Sequence, residues 1–535
     1  MNQVRSIAAW LRAGSAAVAL FLLVSSAAAR EVTVTVLHTT DVHGYVESTR
    51  DYEGNENVGG LLRCATLIRQ AREEAPGALL VDCGDLWIGS PESYVTKAAV
   101  ARKAVAWLKY DAWVVGNHDF DWGLAAFQKL LESAPMPALA ANIRSRPGAP
   151  NPAAAVHPYL IREVEGIRVA FVGLTTPGMP GWFLPDYLGP LEFEASVPAL
   201  RRIMPAVRES GAEIRVLLVH QGVRPFGDDE ANELEKIAAA FPEFDVILGG
   251  HSHQIVPGIK IRDVWYSQAG YYATSLGRVD LVYDTVQRGV VRVDCRLLPA
   301  GPEVEPSAEL RSVVQADLDK AAGQRRKVVG RTARDLVAST EPPGQCPVQQ
   351  LLARAIAAET GADIVLHGIL AEDTIPAGPV TGEDLWRLVP YENRVGLLSL
   401  TAAELKAVLE ENVRHLGTPQ FQGVCGLAYD LDPAAPEGRR VLNLRLADGS
   451  KLHGRKRYRV AMNSYVLASG GRRYPVIRKL VGKSNARFEL TDLDTRIAVA
   501  RYLRKNRPLD LGPGNEVRLL SRPAAAKASG GAVAP

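Results

Sequence analysis

Five short hydrophobic runs in the first half of the chain, at 32–37, 78–82, 112–115, 214–219 and 244–248, each end directly in a residue type that binds metals. They deliver Asp41 and His43, then Asp85, then Asn117 and His118, then His220, and finally His251 and His253. In the first run Val32, Val34 and Val36 alternate with Thr33 and Thr35, the period of two that marks a strand. Between the runs, 60–74, 94–109 and 123–133 carry apolar residues at helical spacing. Strands alternating with helices bury their apolar faces in α/β layers. Open parallel sheets hold ligands beyond the carboxyl ends of their strands. All five polar clusters stand at such an end.

Taken singly, each cluster has a bland reading. Asp-x-His is as readily a helix N-cap as a ligand pair, and His38 and His157 fit no motif and read as structural or surface histidines. Five clusters in series describe a two-metal hydrolytic centre at the rim of a sheet. Two divalent ions about 3.5–4 Å apart can clamp the attacking and leaving oxygens of a phosphoryl transfer. Such a pair needs a shared carboxylate, with imidazoles or carboxamides on the outer positions. Oxygen and nitrogen ligands without thiolate admit Zn, Mn, Fe or Co.

At 535 residues, a prior of roughly 150 per domain gives two to four domains. A net charge of +3, from 62 basic and 59 acidic residues, gives no warrant for nucleic-acid binding by the surface as a whole. Residues 1–29 place Arg5 and Arg12 beside an apolar run at 16–24, followed by the small residues 25–29. This is the pattern of a cleaved secretory signal peptide, too short to span a bilayer, so a secreted or periplasmic protein without a stable membrane anchor is expected. The five cysteines contain no Cys-x-x-Cys, which argues against a thiolate zinc site, and the odd number leaves at least one thiol free or paired between chains. Cys83 reads as a buried small hydrophobe.

Segments 167–173, 276–284 and 291–298 read as strands closing a second sheet. The Pro- and Gly-containing stretch 301–307 is a boundary, followed by a helix at 308–322. Beyond it lie helices at 348–360 and 402–413, strands at 395–400, 425–431 and 457–462, and a Gly pair at 470–471. The expected division is a hydrolase domain at 30–300, a linker helix at 301–327, a second α/β domain at 328–521 and a disordered tail at 522–535.

The local text Asp41-Val42-His43, Gly84-Asp85, Gly116-Asn117-His118-Asp119, Val219-His220 and Gly249-Gly250-His251-Ser252-His253 resembles the metallophosphoesterases. Within them it is similar to the secreted 5'-nucleotidase and UDP-sugar hydrolase family. The resemblance implies a four-layer α/β sandwich with a second α/β substrate-binding domain. It implies a first metal on Asp41, His43 and His253, a second on Asn117, His220 and His251, and Asp85 bridging the two. His253 stands where the family sometimes has Gln. A metal-bound water would be the nucleophile. His118 would be the electrophilic or general-acid partner, oriented by Asp121, with Asp119 structural.

The second half resembles the family's substrate-binding domain through 375–382 (IPAGPVTG), 388–393 (LVPYEN), 426–429 (GLAY) and 463–465 (NSY). Such a pocket stacks a nucleobase between two aromatic rings. Tyr391 matches one position, and Tyr465 or Val466 the other. The polar positions depart from the pattern: His367 replaces an Asn, Glu372 an Arg, and Arg472 an Asp, while 349–351 reads Gln-Gln-Leu for Gly-Asn-Leu. Glu372 and Arg472 could be a charge exchange that keeps a pair across the pocket.

The resemblance implies a small-molecule phosphate ester, a nucleotide above all, hydrolysed by a monomer or homodimer without nucleic acid as partner. Rotation at 301–327 could deliver substrate. Alternative activities on this scaffold are 2',3'-cyclic phosphodiesterase, UDP-sugar hydrolase and thiosulfate-ester hydrolase. A metal-dependent binding protein is the non-enzymatic alternative, though a binder has no need of His118 and Asp121.

Overall fold

The computed structural model describes residues 31–520. The expected signal peptide at 1–29 and tail at 522–535 lie outside the described residues. Two large sheets, of seven and six strands, form the core of the first half. The strand Glu31–Thr39 runs parallel to Leu79–Asp82, which pairs with Ala112–Val114. The strand Ile214–Val219 runs parallel to Val246–Gly249 in the second sheet. Val34, Val36, Val81 and Val114 of the first sheet face Phe171, Val216 and Leu248 of the second in one fully buried layer. Each such side chain contributes about 1.5–3 kcal/mol when taken from water.

Helices cover both outer faces. Leu61–Glu74 and Ala99–Leu108 bury Leu61, Ile68, Ala101 and Val105 against the first sheet. Ser196–Glu209 and Leu234–Ala240 bury Leu200, Met204 and Ile237 against the second. The result is helix, sheet, sheet, helix, the four layers expected.

Two details differ from the sequence reading. Ser275–Asp284 and Gly289–Pro299 do not join the second sheet. Ser275–Asp284 lies antiparallel to Glu31–Thr39, in register from Glu31 opposite Asp284 to His38 opposite Gly277, and so extends the first sheet. The helix expected over 94–109 is two, Pro91–Thr96 and Ala99–Leu108, because Lys97 (φ 53°) and Ala98 (φ 60°) take the left-handed conformation that ends a helix.

The second half is built on a five-stranded sheet ordered Gly423–Cys425, Ile364–His367, Arg457–Asn463, Arg394–Thr401, Glu489–Asp494. The run expected at 425–431 divides at Gly426 into Gly423–Cys425 and Leu427–Leu431, which belong to different sheets. Helices Pro347–Thr360 and Thr495–Lys505 pack on one face of the five-stranded sheet. The helix Ala308–Arg326, capped by Ser307, buries Leu310, Val314 and Leu318 against the first half. At its far end Arg325 pairs with Glu47 on one side and Glu383 on the other. Arg496 adds a second tie, its guanidinium 3.7 Å from the Trp386 ring centroid and 4.9 Å from that of Tyr94.

Near this seam Glu92 is 3% exposed and accepts the N–H groups of Val46 and Glu47 at 3.1 and 3.4 Å. Burial pushes its carboxyl up from 4.5 to about 7. The folded chain therefore holds a proton that the unfolded chain has released, and the stability so gained is fully present below about pH 4.5. It is lost as pH rises through about 7. Glu92→Gln keeps the acceptor oxygen and cannot ionise. It is expected to stabilise the fold at pH 8 by up to about 3 kcal/mol, and by nothing near pH 4.5. Thermal melts of both proteins across that range check it.

Candidate metal centre

The five turns expected to carry metal ligands meet at one end of the sandwich, between the sheets. Asp41, His43, Asp85, Asn117, His220 and His253 are all buried, and His251 is half-buried. Two groups could hold a metal ion among the described residues, Asp41 with His43 and His253, and Asp41 with Asp85 and His220. His43 Nε2 lies 3.1 Å from His253 Nε2, which is 3.3 Å from Asp41 Oδ1. His220 Nε2 lies 3.1 Å from Asp85 Oδ2 and 3.0 Å from Asn117 Oδ1, and His251 Nδ1 is 2.9 Å from the same Asn117 oxygen. Asp85 Oδ2 is also 3.9 Å from His43 Nε2.

The backbone contacts test whether these atoms fit a metal. His43 Nδ1 donates to the Ile88 carbonyl and His220 Nδ1 to that of Cys83, each at 2.9 Å. That places the proton on Nδ1 and leaves a lone pair on Nε2. In His220 the lone pair faces another acceptor, the Asn117 carbonyl oxygen. Lone pairs converging on one point need a cation between them, so the donor set fits divalent metal.

Electrostatics agree. Asp85 is held well below the usual carboxylate range, because His220, His118 and His43 outweigh its burial. Burial pushes His43 down to about 4 and His251 to about 3, which keeps both neutral, the form that ligates. His220 goes the other way. Burial opposes its charge, but Asp85 and Asp41 raise it to about 9, so at neutral pH a proton takes the Nε2 lone pair until a metal displaces it.

Backbone strain marks the same residues. Asp41 (φ 50°), His43 (51°), Asp85 (55°), His251 (70°) and His253 (54°) all lie in the left-handed region. Such residues are uncommon and gather at functional sites, at a cost of order 1–3 kcal/mol each. Gly84 has φ 104°, and a Cβ there would stand 2.3 Å from His220 Nδ1. Gly84→Ala is expected to push His220 off its carbonyl anchor and weaken divalent-metal binding by about 10- to 100-fold, as when a ligating histidine loses its orienting partner. Competition with a metal chelator measures it.

His118 sits beside the cluster, its ring centroid 5.0 Å from that of His43. Its backbone N–H donates to Asp85 Oδ1 at 2.7 Å, and its Nδ1 lies 2.7 Å from Asp121 Oδ2. Burial disfavours the charged ring, but Asp121 and Asp85 outweigh it and raise His118 to about 10. Asp119 turns away and accepts the Gly116 N–H at 2.8 Å, a structural bond.

His118, Asp121, Tyr391, Tyr465 and Arg472 line one cleft of about 1390 Å³ between the two halves. Val466 also lines it and is buried. Two residues expected in the pocket are elsewhere. His367 ends a buried strand, fully enclosed, and residues 368–371 line the cleft where it does not. Burial lowers His367 to about 4. Glu372 is exposed and outside the cleft. The Glu372–Arg472 pair does not form: Arg472 pairs with Glu230 from the first half.

Two contacts of the centre had no signal in the sequence reading. The Tyr52 hydroxyl lies 2.7 Å from His253 Nδ1, and the Trp182 ring centroid is 5.1 Å from that of His251. Tyr52 is in an irregular polar loop, where nothing marks it. Trp182 belongs to an aromatic stretch between Pro180 and Pro185, the one cue available.

The family profile of calcineurin-like phosphoesterases matches residues 34–255, and that of the 5'-nucleotidase C-terminal domain matches 328–479. Endonuclease YhcR of Bacillus subtilis (strain 168) is 24% identical over 476 residues, 85% of this chain but only 38% of that protein. Snake venom 5'-nucleotidase of Crotalus adamanteus is 27% identical over 510 residues, 86% of this chain and 84% of that protein. The crystal structure of a 5'-nucleotidase precursor from Thermus thermophilus superposes with a TM-score of 0.69 at 23% identity, over 92% of this chain and 100% of that one.

Proposed function

We propose, from the premise that this chain belongs to the family joining a calcineurin-like phosphoesterase domain to a 5'-nucleotidase C-terminal domain and is a phosphoester hydrolase, that it cleaves nucleotides or related phosphomonoesters at a two-metal centre. The observation that carries the reading is the convergence of seven ligand side chains beside a His118–Asp121 pair, on a cleft that also holds Tyr391 and Tyr465. Asp41, His43 and His253 would hold one ion, Asn117, His220 and His251 the other, and Asp85 both. Bound there, the ions would supply an activated water and neutralise phosphoryl charge.

The protein's own residues do the rest. His118, protonated and aimed by Asp121, would hand a proton to the departing oxygen. Tyr391 and Tyr465 would sandwich the leaving group. Action outside the cytoplasm follows from the segment at 1–29 and is part of the proposal. No helix among the described residues is long and apolar enough to cross a membrane.

The test is turnover of AMP, 2',3'-cyclic AMP, UDP-glucose and phenyl phosphate by residues 30–535 with Mn or Zn, beside His118→Ala. Nucleotide turnover lost in the variant supports the reading; turnover of phenyl phosphate alone removes nucleotides as the substrate class. Tyr391→Ala is expected to lower kcat/KM for AMP by about 5- to 150-fold, the equivalent of ~1–3 kcal/mol of stacking. The loss should fall on KM, and a loss confined to kcat would count against stacking.

A further inference from the structure

Six arginines line the cleft, and five are already neutralised. Arg50 pairs with Glu56 at 3.6 Å, Arg224 with Asp229 at 3.1 Å and Arg387 with Asp373 at 2.9 Å. Arg325 pairs with Glu383 and Arg472 with Glu230. Arg473 alone forms no ion pair among the described residues. One of its terminal nitrogens donates to the Tyr465 hydroxyl at 2.8 Å and to the Gly470 carbonyl at 3.3 Å. Both partners are neutral and neither belongs to the metal cluster. Arg473 is half-buried and lines the cavity, and its guanidinium is anchored through one nitrogen only.

A guanidinium fork matches a carboxylate or phosphate in both charge and geometry. Solvation alone would explain an exposed arginine, but this one is tethered to an aromatic ring that faces the cavity, and its neighbour Arg472 has an acid while it has none. We infer that Arg473 is a second anion subsite, and that the preferred substrate is a phosphomonoester whose leaving group carries its own carboxylate or phosphate. The leaving group lies along Tyr465, and its anion meets Arg473 while the scissile phosphate is at the metal centre. This rests on the phosphomonoesterase reading above.

The test compares kcat/KM for 4-(carboxymethyl)phenyl phosphate and 4-(phosphonomethyl)phenyl phosphate with that for the neutral amide of the first. The methylene insulates the leaving oxygen, so the three differ mainly in the remote charge. The wild-type protein is expected to favour an anionic substrate by about 10- to 100-fold, the contribution of one charged hydrogen-bonded contact. The better of the two anions identifies the group. Arg473→Gln should bring the ratio to about 1, and Arg473→Lys, which keeps charge without the fork, should retain part of it. Each ratio is taken within one preparation, so a change in folded fraction cancels.

A wild-type ratio near 1, or a ratio unchanged in both variants, overturns the inference. If no ester is cleaved, the phosphomonoesterase reading is what fails. Line broadening of 4-hydroxyphenylacetate in NMR spectra then decides the subsite separately. Broadening by wild type that Arg473→Gln loses keeps it, and equal broadening, or none, removes it.

Discussion

Asp85→Ala is expected to lower kcat/KM on any phosphomonoester by at least ~10³-fold and to reduce the bound divalent metal per chain. Asp85 is 1% exposed and its two oxygens serve different partners. Oδ2 faces His220 Nε2 at 3.1 Å and His43 Nε2 at 3.9 Å, while Oδ1 accepts the His118 N–H at 2.7 Å. Alanine removes the negative charge that favours cations here, and frees the backbone that carries His118. Several kcal/mol of charge stabilisation go with the metal. Asp85→Asn keeps the acceptor and the volume, so it isolates the charge and should fall between. Elemental analysis of purified protein beside steady-state kinetics is the measurement. An alanine variant that retains full metal occupancy would show that Asp85 does not hold the centre together.

His118→Ala should behave differently. Metal content should stay, because His118 Nδ1 is taken by Asp121 at 2.7 Å and only its backbone N–H reaches a proposed ligand, Asp85. Turnover of a nucleoside or alkyl phosphate should fall by about 10²–10⁴-fold, the contribution of a positioned general acid. With 2,4-dinitrophenyl phosphate, whose leaving group departs without a proton, the loss should be no more than about 10-fold. Asp121→Asn should show the same leaving-group pattern in milder form, since it disturbs only the partner of Nδ1. Equal losses across leaving groups would move His118 from acid to electrostatic partner of the phosphate.

The convergence of these residues was legible because each proposed ligand follows its strand within a few residues. A side chain just past the carboxyl end of a strand has its place set locally, so Asp41, Asp85 and His220 could be read from pattern alone. What depends on long-range pairing could not. Ser275–Asp284 joined the first sheet through partners some 240 residues away, such as Thr35 and Asp280. Tyr52 meets His253 across 201 positions. His367 looked like a pocket residue because it stands at a motif position, but it is fully buried and the residues after it line the cleft instead. Motif position fixes where a residue is along the strand and leaves open what stands in front of it. The left-handed ligands were hidden for a related reason: Asp and His tolerate that conformation without requiring it.

The seven proposed ligands are divided between layers, with Asp41, His43, Asp85 and Asn117 following strands of one sheet and His220, His251 and His253 following strands of the other. The spacing of the sheets is therefore also a spacing between ligands. Phe171, Val216 and Leu248, which fill the interlayer, act as shims on the centre without touching it. A change of a single carbon's volume among them is felt through a close-packed interior, which transmits strain. If the proposed centre binds metal, its preference for one ion over another would depend on these core residues as well as on the ligands.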